Sequence, residues 1–500
     1  MTEPLPRLCN GTVPGVTTTT SSIRIVQFGE GNFLRAFVGP MVEKCNETTD
    51  FDGSIAIVKP RMQGTLPDFP AQDHLYTVLL RGREQGQVVH THQIITAVKE
   101  VLDGSNTWDD LAALAKCPTV RYIISNTTEA GITLVPEDPM EGIPSSFPGK
   151  ITKFLYARYQ AFAGSPDSGV VLLPCELIEN NGTRLRECVV QMAQIWQLPK
   201  AFFTWLEEHC HFLNTLVDRI VTGFPTKEAE TLWKQLGYRD TLLVTGEPYG
   251  LWVIEASGDV AEALPFVHGV VHGGLPVTIT EDLRAYREQK VRVLNGAHTA
   301  TVLIGWLCGK TIVRDLLTDP VTNAFLRHTV ENEIVPYVPL GKDEVLSFAQ
   351  SVYERFANPY IDHRLLDISL NSVSKWKTRV LPTLRDWVHK TGTLPQNLTF
   401  SFAALLAFYT GHDLHSDGLH ATRTDGTPYT IRDSAEVLTF FAENSHRPVA
   451  QYVEAACARC DFWGEDLGQI PGFSAAVTKA LTAIREDPQN ALQKYIKYEK

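Results

Sequence analysis

"IRIVQFGEGNFLRAF", residues 23–37, decides the fold. An apolar run of the buried-strand type, Ile23 to Phe28, meets Gly29-x-Gly31 and then a helical pattern from Asn32 to Cys45. Strand, glycine turn and helix is the order of a dinucleotide-binding turn. The first glycine permits the tight turn and the second lets backbone approach a pyrophosphate, while the helix N-terminus supplies N–H groups and a positive dipole end. The third glycine of GxGxxG is missing, and Leu34 stands in its place. A plain strand-to-helix turn has the same local pattern, so the surroundings decide between them. On the cofactor reading the binding stretch comprises Ile25, Val26, Phe28, Gly29, Glu30, Gly31, Asn32, Phe33, Leu34, Arg35 and Ala36.

Those surroundings alternate strands with helices. "GSIAIVK", "VRYIISN" and "GVVLLPCEL" read as buried strands, "WDDLAALAK" and "ITKFLYARYQAF" as helices between them, and "HLYTVLLRG" with "QVVHTHQIITAV" as an antiparallel pair. Such alternation predicts an α/β fold with an open, largely parallel sheet, a Rossmann-type N-terminal domain. From about Glu281 onward long amphipathic segments predict a mainly α-helical C-terminal domain. The expected divisions are residues 1–22, a flexible polar arm ending in "TTTTSS"; 23–280, the nucleotide-binding domain; and 281–500, a helical substrate and catalytic domain.

Composition narrows the class. The chain has 500 residues, 44% hydrophobic and 20% charged, which is a folded globular protein of two to four domains at about 150 residues each. Net charge is −12, with no Lys/Arg-dense stretch, which argues against nucleic acid or an anionic membrane as partner. The N-terminus lacks the pattern of a secretory signal, and the apolar stretch "LTFSFAALLAFYTG" is shorter than the roughly 20 residues of a membrane span. Nine scattered cysteines read as reduced thiols, so the expected compartment is the cytoplasm. Cys457 and Cys460 have CxxC spacing but no second such pair to complete a zinc site.

Chemistry concentrates in "QKVRVLNGAHTATV", residues 289–302, where Lys290, Asn295 and His298 interrupt an apolar run. Counted as an α-helix with Lys290 at the origin, His298 falls at about 80° and Asn295 at about 140°, so the three can share a face. The "NG" at 295–296 is a weak helix point where the axis can bend. A desolvated lysine works as acid or base, an amide N–H stabilises an oxyanion, and a histidine orients a hydroxyl. The set suits reversible hydride transfer to a ketone. The bland alternative is a surface lysine, a turn asparagine and a core histidine. The second strand ends in Lys59, Pro60 and Arg61 rather than an acid, which on charge alone favours NADP or marks a solvated loop. Asn126 and Thr127 follow a buried strand, where α/β folds bind ligands. The five His and Asp side chains of "GHDLHSDGLH" read as an exposed loop rather than a metal site, and Asp218-Arg219 as a buried ion pair or a substrate contact.

"KVRVLNGAHT" is similar to the K-x4-N-x2-H signature of the polyol-specific long-chain dehydrogenases, the mannitol dehydrogenase family. "FGEGNFLRAF" resembles that family's G-x-G-x-F-x-R-A loop through Gly29, Gly31, Phe33, Arg35 and Ala36. "QDHLYTVLLRG", "SNTTEAGI", "PCELIENNG", "TLVDRIVTG", "EPYGLWVIE" and "RFANPYIDHRLLDISLNSVSKWKTR" agree in order, so the likeness spans roughly residues 24 to 480. The resemblance implies a zinc-independent oxidoreductase using NAD rather than NADP. Lys290 would be the general acid/base, Asn295 would polarise the carbonyl and His298 would position hydroxyls. Within the family, "NTTEAGI", "PCELIENNG" and "LNGAHTA" look closest to enzymes that reduce D-tagaturonate to D-altronate in hexuronate catabolism. A small hexuronate or aldonate is therefore the expected partner.

Departures from the pattern bear on the substrate. "CEL" puts Leu177 where mannitol dehydrogenases carry an oxyanion asparagine, leaving Asn181 as the substitute. Asp367 stands where they carry an arginine eight residues before the substrate lysine, here Lys375. A uronate carries a carboxylate, and "SKWKTR" offers Lys375, Lys377 and Arg379 as partners, against the alternative of a solvated helix face. Competing readings are a fructuronate reductase, a mannitol or arabinitol 2-dehydrogenase, an epimerase holding NAD, and a catalytically silent NAD-sensing protein.

Overall fold

Six parallel strands form the first sheet: β1 (Ser22–Phe28), β2 (Gly53–Lys59), β3 (Val98–Asp103), β4 (Tyr122–Ser125), β5 (Val171–Pro174) and β6 (His211–Phe212). Their order across the sheet is β3-β2-β1-β4-β5-β6, that of a doubly wound dinucleotide-binding fold. The computed structural model describes residues 4–60, 66, 68–105, 108–128 and 130–497. All seven residues of β2 are buried, as expected of a parallel strand covered on both faces. One core packs Ile25, Phe37, Val38, Trp252 and Phe266 on one face, and a second packs Val26, Phe28, Phe154, Leu172 and Phe202 on the other. Strand order reverses between β1 and β4, and the crevice beyond their carboxyl ends is where such folds bind ligands. The chain leaves β1 through Gly29 into helix α1 (Asn32–Thr48).

Two compact units divide the chain, residues 1–81 with 88–283 and residues 82–87 with 284–500. The N-terminal arm is not the free polar segment its composition predicts. Leu8 is fully buried against Leu75 and Tyr238, and a backbone bridge joins Arg7 to Arg239. Leu8, Val13 and Val16, which share this cluster, are too irregularly spaced in a polar stretch to announce the anchoring.

The second unit is mainly helical. It includes α2 (Gly296–Leu307), α3 (Lys342–Phe356), α4 (Ser372–Arg379), α5 (Gln396–Phe408) and α6 (Phe473–Glu486). From Asn397 to Phe408 every residue of α5 is buried, and the helix packs against α2 and α6. This explains "LTFSFAALLAFYTG": a helix hydrophobic all round is a core helix. No described helix is long and apolar enough to cross a membrane. The expected loop "GHDLHSDGLH" is instead a hairpin of strands Gly411–His415 and Gly418–Thr422, completed by Pro428–Ile431. His420 bonds Asp417 at 2.9 Å and stacks on His415, while the side chain of His412 lies outside the described residues.

Candidate functional site

Gly29 has φ of 126°, and a Cβ there would come within 2.9 Å of the Asn126 carbonyl oxygen. Only glycine tolerates both. Gly31 is the N-cap of α1, and a Cβ added to it would meet nothing within 4 Å. The first turn of α1 carries no acidic side chain. Exposed backbone at Gly31 and Asn32, above a helix N-terminus, fits a dinucleotide pyrophosphate. The rest of the expected contact set turns inward. Ile25, Val26, Phe28, Leu34 and Ala36 are core residues, and Phe33 stacks on Phe37 with ring centroids 4.9 Å apart. Arg35 is buried and braces the loop, donating to the Glu30 carbonyl, the Asn32 side chain and the Leu242 carbonyl. Its place in the motif is structural.

Lys59 also departs from expectation. It is 1% exposed and pairs with Asp103 of β3 at 3.1 Å. Its charge is therefore committed inside the sheet rather than presented to a 2′-phosphate. Arg61 and Glu129 lie outside the described residues. Beyond β4, Asn126 donates to the Cys175 carbonyl at 2.7 Å. Both the amide and the hydroxyl of Thr127 donate to Glu176 at 3.0 Å, and Ser125 Oγ reaches its other oxygen at 3.0 Å. Burial pushes the Glu176 carboxyl above the usual carboxylate range. Sequence reasoning passed over Glu176. Its signal was an acid placed directly after a buried strand.

Asn181 does not serve as a spare oxyanion donor. Its amide nitrogen faces the carbonyls of Pro174, Glu176 and Thr215, and its oxygen accepts from Gly182 and Thr215. The group is 1% exposed and spent on joining the β5 loop to the strand Thr215–Asp218. Arg219 similarly donates to the carbonyls of Ala36, Pro248 and Tyr249, all within the first unit.

In the second unit Lys290–Asn295 is a π-helix that passes directly into α2 at Gly296. Such i→i+5 turns recur at functional sites. The helix irregularity thus precedes "NG" instead of falling on it. One π turn separates Lys290 from Asn295, which brings them nearer one face than the α count allows. Lys290, Asn295 and His298 are all half-buried amid the buried Val293, Leu294 and Ala297. Gly296 lies where α4 ends, and a Cβ on it would come within 3.1 Å of the Arg379 carbonyl oxygen.

His298 stacks on Phe356 of α3 with centroids 4.1 Å apart and meets His363 edge-on at 5.6 Å. Its Nε2 is buried without a hydrogen-bond partner among the described residues. Burial, then the nearby His363, Arg355, Arg379 and Lys375, hold its pKa well below the usual histidine value, so the ring is neutral at pH 7. Lys375 rests its ammonium on the Ile368 carbonyl at 2.9 Å, and burial and Arg379 lower its pKa. Lys375 and Arg379, one turn apart on α4, both add positive charge to the surroundings of His298. Lys377 points elsewhere, against Gly464.

Residues 23–266 match the mannitol dehydrogenase Rossmann domain and 282–485 the mannitol dehydrogenase C-terminal domain. The chain belongs to the mannitol dehydrogenase family. This family member is 42% identical over 477 residues to the altronate oxidoreductase of Bacillus subtilis (strain 168), covering 94% of this chain and 95% of that protein. It is 42% identical over 472 residues to the altronate oxidoreductase of Pectobacterium atrosepticum, covering 93% and 94%. Among solved structures, Pseudomonas fluorescens mannitol 2-dehydrogenase in ternary complex with NAD and D-mannitol aligns with a TM-score of 0.64 at 21% identity, over 99% of this chain and 96% of that one. A substrate-free D-sorbitol dehydrogenase aligns with a TM-score of 0.75 at 19% identity, over 96% and 98%. The mannitol dehydrogenase family architecture thus holds throughout both units.

Proposed function

We propose that this chain is an altronate oxidoreductase, interconverting D-altronate and D-tagaturonate with a nicotinamide cofactor. One observation carries the reading: Lys290, Asn295 and His298 project from a π-to-α helix junction in a chain 42% identical, nearly end to end, to proteins bearing that name. When bound, the nicotinamide supplies or accepts the hydride at the substrate carbon. Lys290 gives a proton to the developing alkoxide, or takes it in the oxidative direction. The Asn295 amide donates a hydrogen bond to the same oxygen and stabilises its charge. His298, neutral, offers one donor and one acceptor to a substrate hydroxyl. Lys375 and Arg379 supply positive charge for an acid substrate.

We take the cofactor to be NAD. The commitment of Lys59 to Asp103 removes one of the two cations that favoured NADP. All nine cysteines are free thiols, which suits a reducing compartment, the cytoplasm.

The test is oxidation of NADH and of NADPH by purified protein with D-tagaturonate, D-fructuronate and D-fructose in parallel. Rapid turnover is expected with tagaturonate and NADH. Turnover with fructose alone would replace the acid reading with a polyol one. Consumption of neither cofactor with any of the three would leave a sensing or epimerase protein.

A further inference from the structure

Basic side chains gather near His298, and Arg379 stands out among them. Arg379 is half-buried, burial alone lowers its pKa, and no protein carboxylate engages its guanidinium among the described residues. His363, also half-buried, has its pKa lowered by burial against the pull of the exposed Asp367, so it meets a ligand as a neutral ring that can donate one N–H. Asp433, whose charge acts on Lys375, already accepts from the Tyr409 hydroxyl and the Val373 and Ser434 amides. Desolvated positive charge without a counter-ion is costly, and a fold keeps it where an anionic ligand completes the site.

We infer that His363 is a specificity-determining residue, which with Arg379 receives the substrate's carboxylate beside the orphaned Nε2 of His298. The assignment rests on the sugar-acid reading above and deepens it. Distances along the helix support it. His298 lies three residues past Asn295, a rise of about 4.5 Å in an α-helix. Four carbon–carbon bonds separate a penultimate ketone from the far carboxylate of a six-carbon acid, about 5 Å end to end. A substrate whose carbonyl sits at Asn295 therefore brings its carboxylate to the His298–His363 edge. A neutral polyol reaches the same place with a hydroxymethyl group and leaves the Arg379 charge uncompensated.

His363→Ala, Arg379→Met and the conservative Arg379→Lys are compared with wild type, each first checked by its melting transition. The readouts are KM and kcat for D-tagaturonate, KM for NADH, and competitive inhibition by D-altronate against its neutral counterpart D-altritol. Loss of one charge-assisted hydrogen bond predicts a rise in tagaturonate KM of about 10- to 100-fold. NADH KM is expected to stay at the wild-type value, the preference for altronate over altritol to collapse, and Arg379→Lys to recover part of both losses. An unchanged tagaturonate KM and an intact acid preference in well-folded His363→Ala and Arg379→Met overturn the assignment alone. A wild-type protein inert toward tagaturonate overturns the functional reading, and this assignment with it.

Discussion

Lys290–Asn295 and Thr329–Ile334 are both six-residue π-helical segments that continue a preceding helix in the second unit. They differ in where their polar groups go. In Thr329–Ile334 the residues Thr329, Val330, Glu333 and Ile334 are buried. Glu333 accepts from the backbone amides of Asn397 and Leu398 at 2.7 and 2.8 Å, in the first turn of α5. Pro395, the N-cap of α5, offers no side-chain acceptor, so a carboxylate from another helix takes its place. In Lys290–Asn295 the end residues stay half-exposed and only Val293 and Leu294 are buried. The same widened turn buries a capping carboxylate in one place and keeps Lys290 and Asn295 partly exposed in the other.

That contrast breaks first if Lys290→Ala leaves turnover intact. The expected outcome is a fall in kcat of about 10²–10⁴, with an unchanged melting temperature, as for loss of a general acid/base. Glu333→Ala should do the reverse. Two buried amides lose their acceptor, costing about 2–4 kcal/mol of stability, while the folded fraction keeps its kcat; chemical denaturation beside steady-state kinetics separates the two quantities. If Glu333→Ala instead lost turnover at full stability, the division of labour between the two segments would be wrong.

Gly296→Ala sharpens the comparison further. The added methyl meets the Arg379 carbonyl at 3.1 Å and must push α4 away from the start of α2, so we expect about tenfold lower kcat/KM for tagaturonate. The smallest effect concerns pH. His298 has a lowered native pKa, so below its unfolded value of about 6.5 the unfolded chain binds more protons. Its contribution to stability is present above that pH and is lost as pH falls. His298→Gln should flatten the decline in stability between pH 7 and 5, read from denaturation midpoints; an unaltered slope would mean that His298 is protonated as readily in the fold as out of it.

The parallel sheet and the helical second unit were legible because continuous apolar runs and amphipathic repeats write themselves directly into residue order. Gly29 was legible because its turn geometry admits few other residues, and Gly31 through its spacing from it in the loop pattern. What stayed hidden depended on partners distant in sequence. "GSIAIVK" shows a strand ending in lysine, but not that Asp103 waits beside it to bury the charge. "ELIENNG" shows an asparagine four residues after Leu177, but not that three carbonyls and two amides consume it. The K-x4-N-x2-H spacing named the residues and not their pitch. A five-residue spacing fits one π turn, yet nothing in residue type distinguishes that turn from an α one. His363 was missed for the same reason, since its nearness to His298 is a product of packing between remote segments.

The Lys59–Asp103 pair has a consequence for how such a sheet changes over evolutionary time. Replacing Lys59 alone takes an ammonium from a partly exposed carboxylate at the end of β3, and replacing Asp103 alone takes a carboxylate from an ammonium that is 1% exposed. Neither single step is neutral, so the two positions are expected to drift as a couple, passing through an uncharged pair such as methionine and asparagine. These strand ends are then not freely editable one letter at a time. Retuning this edge of the fold is a two-residue problem.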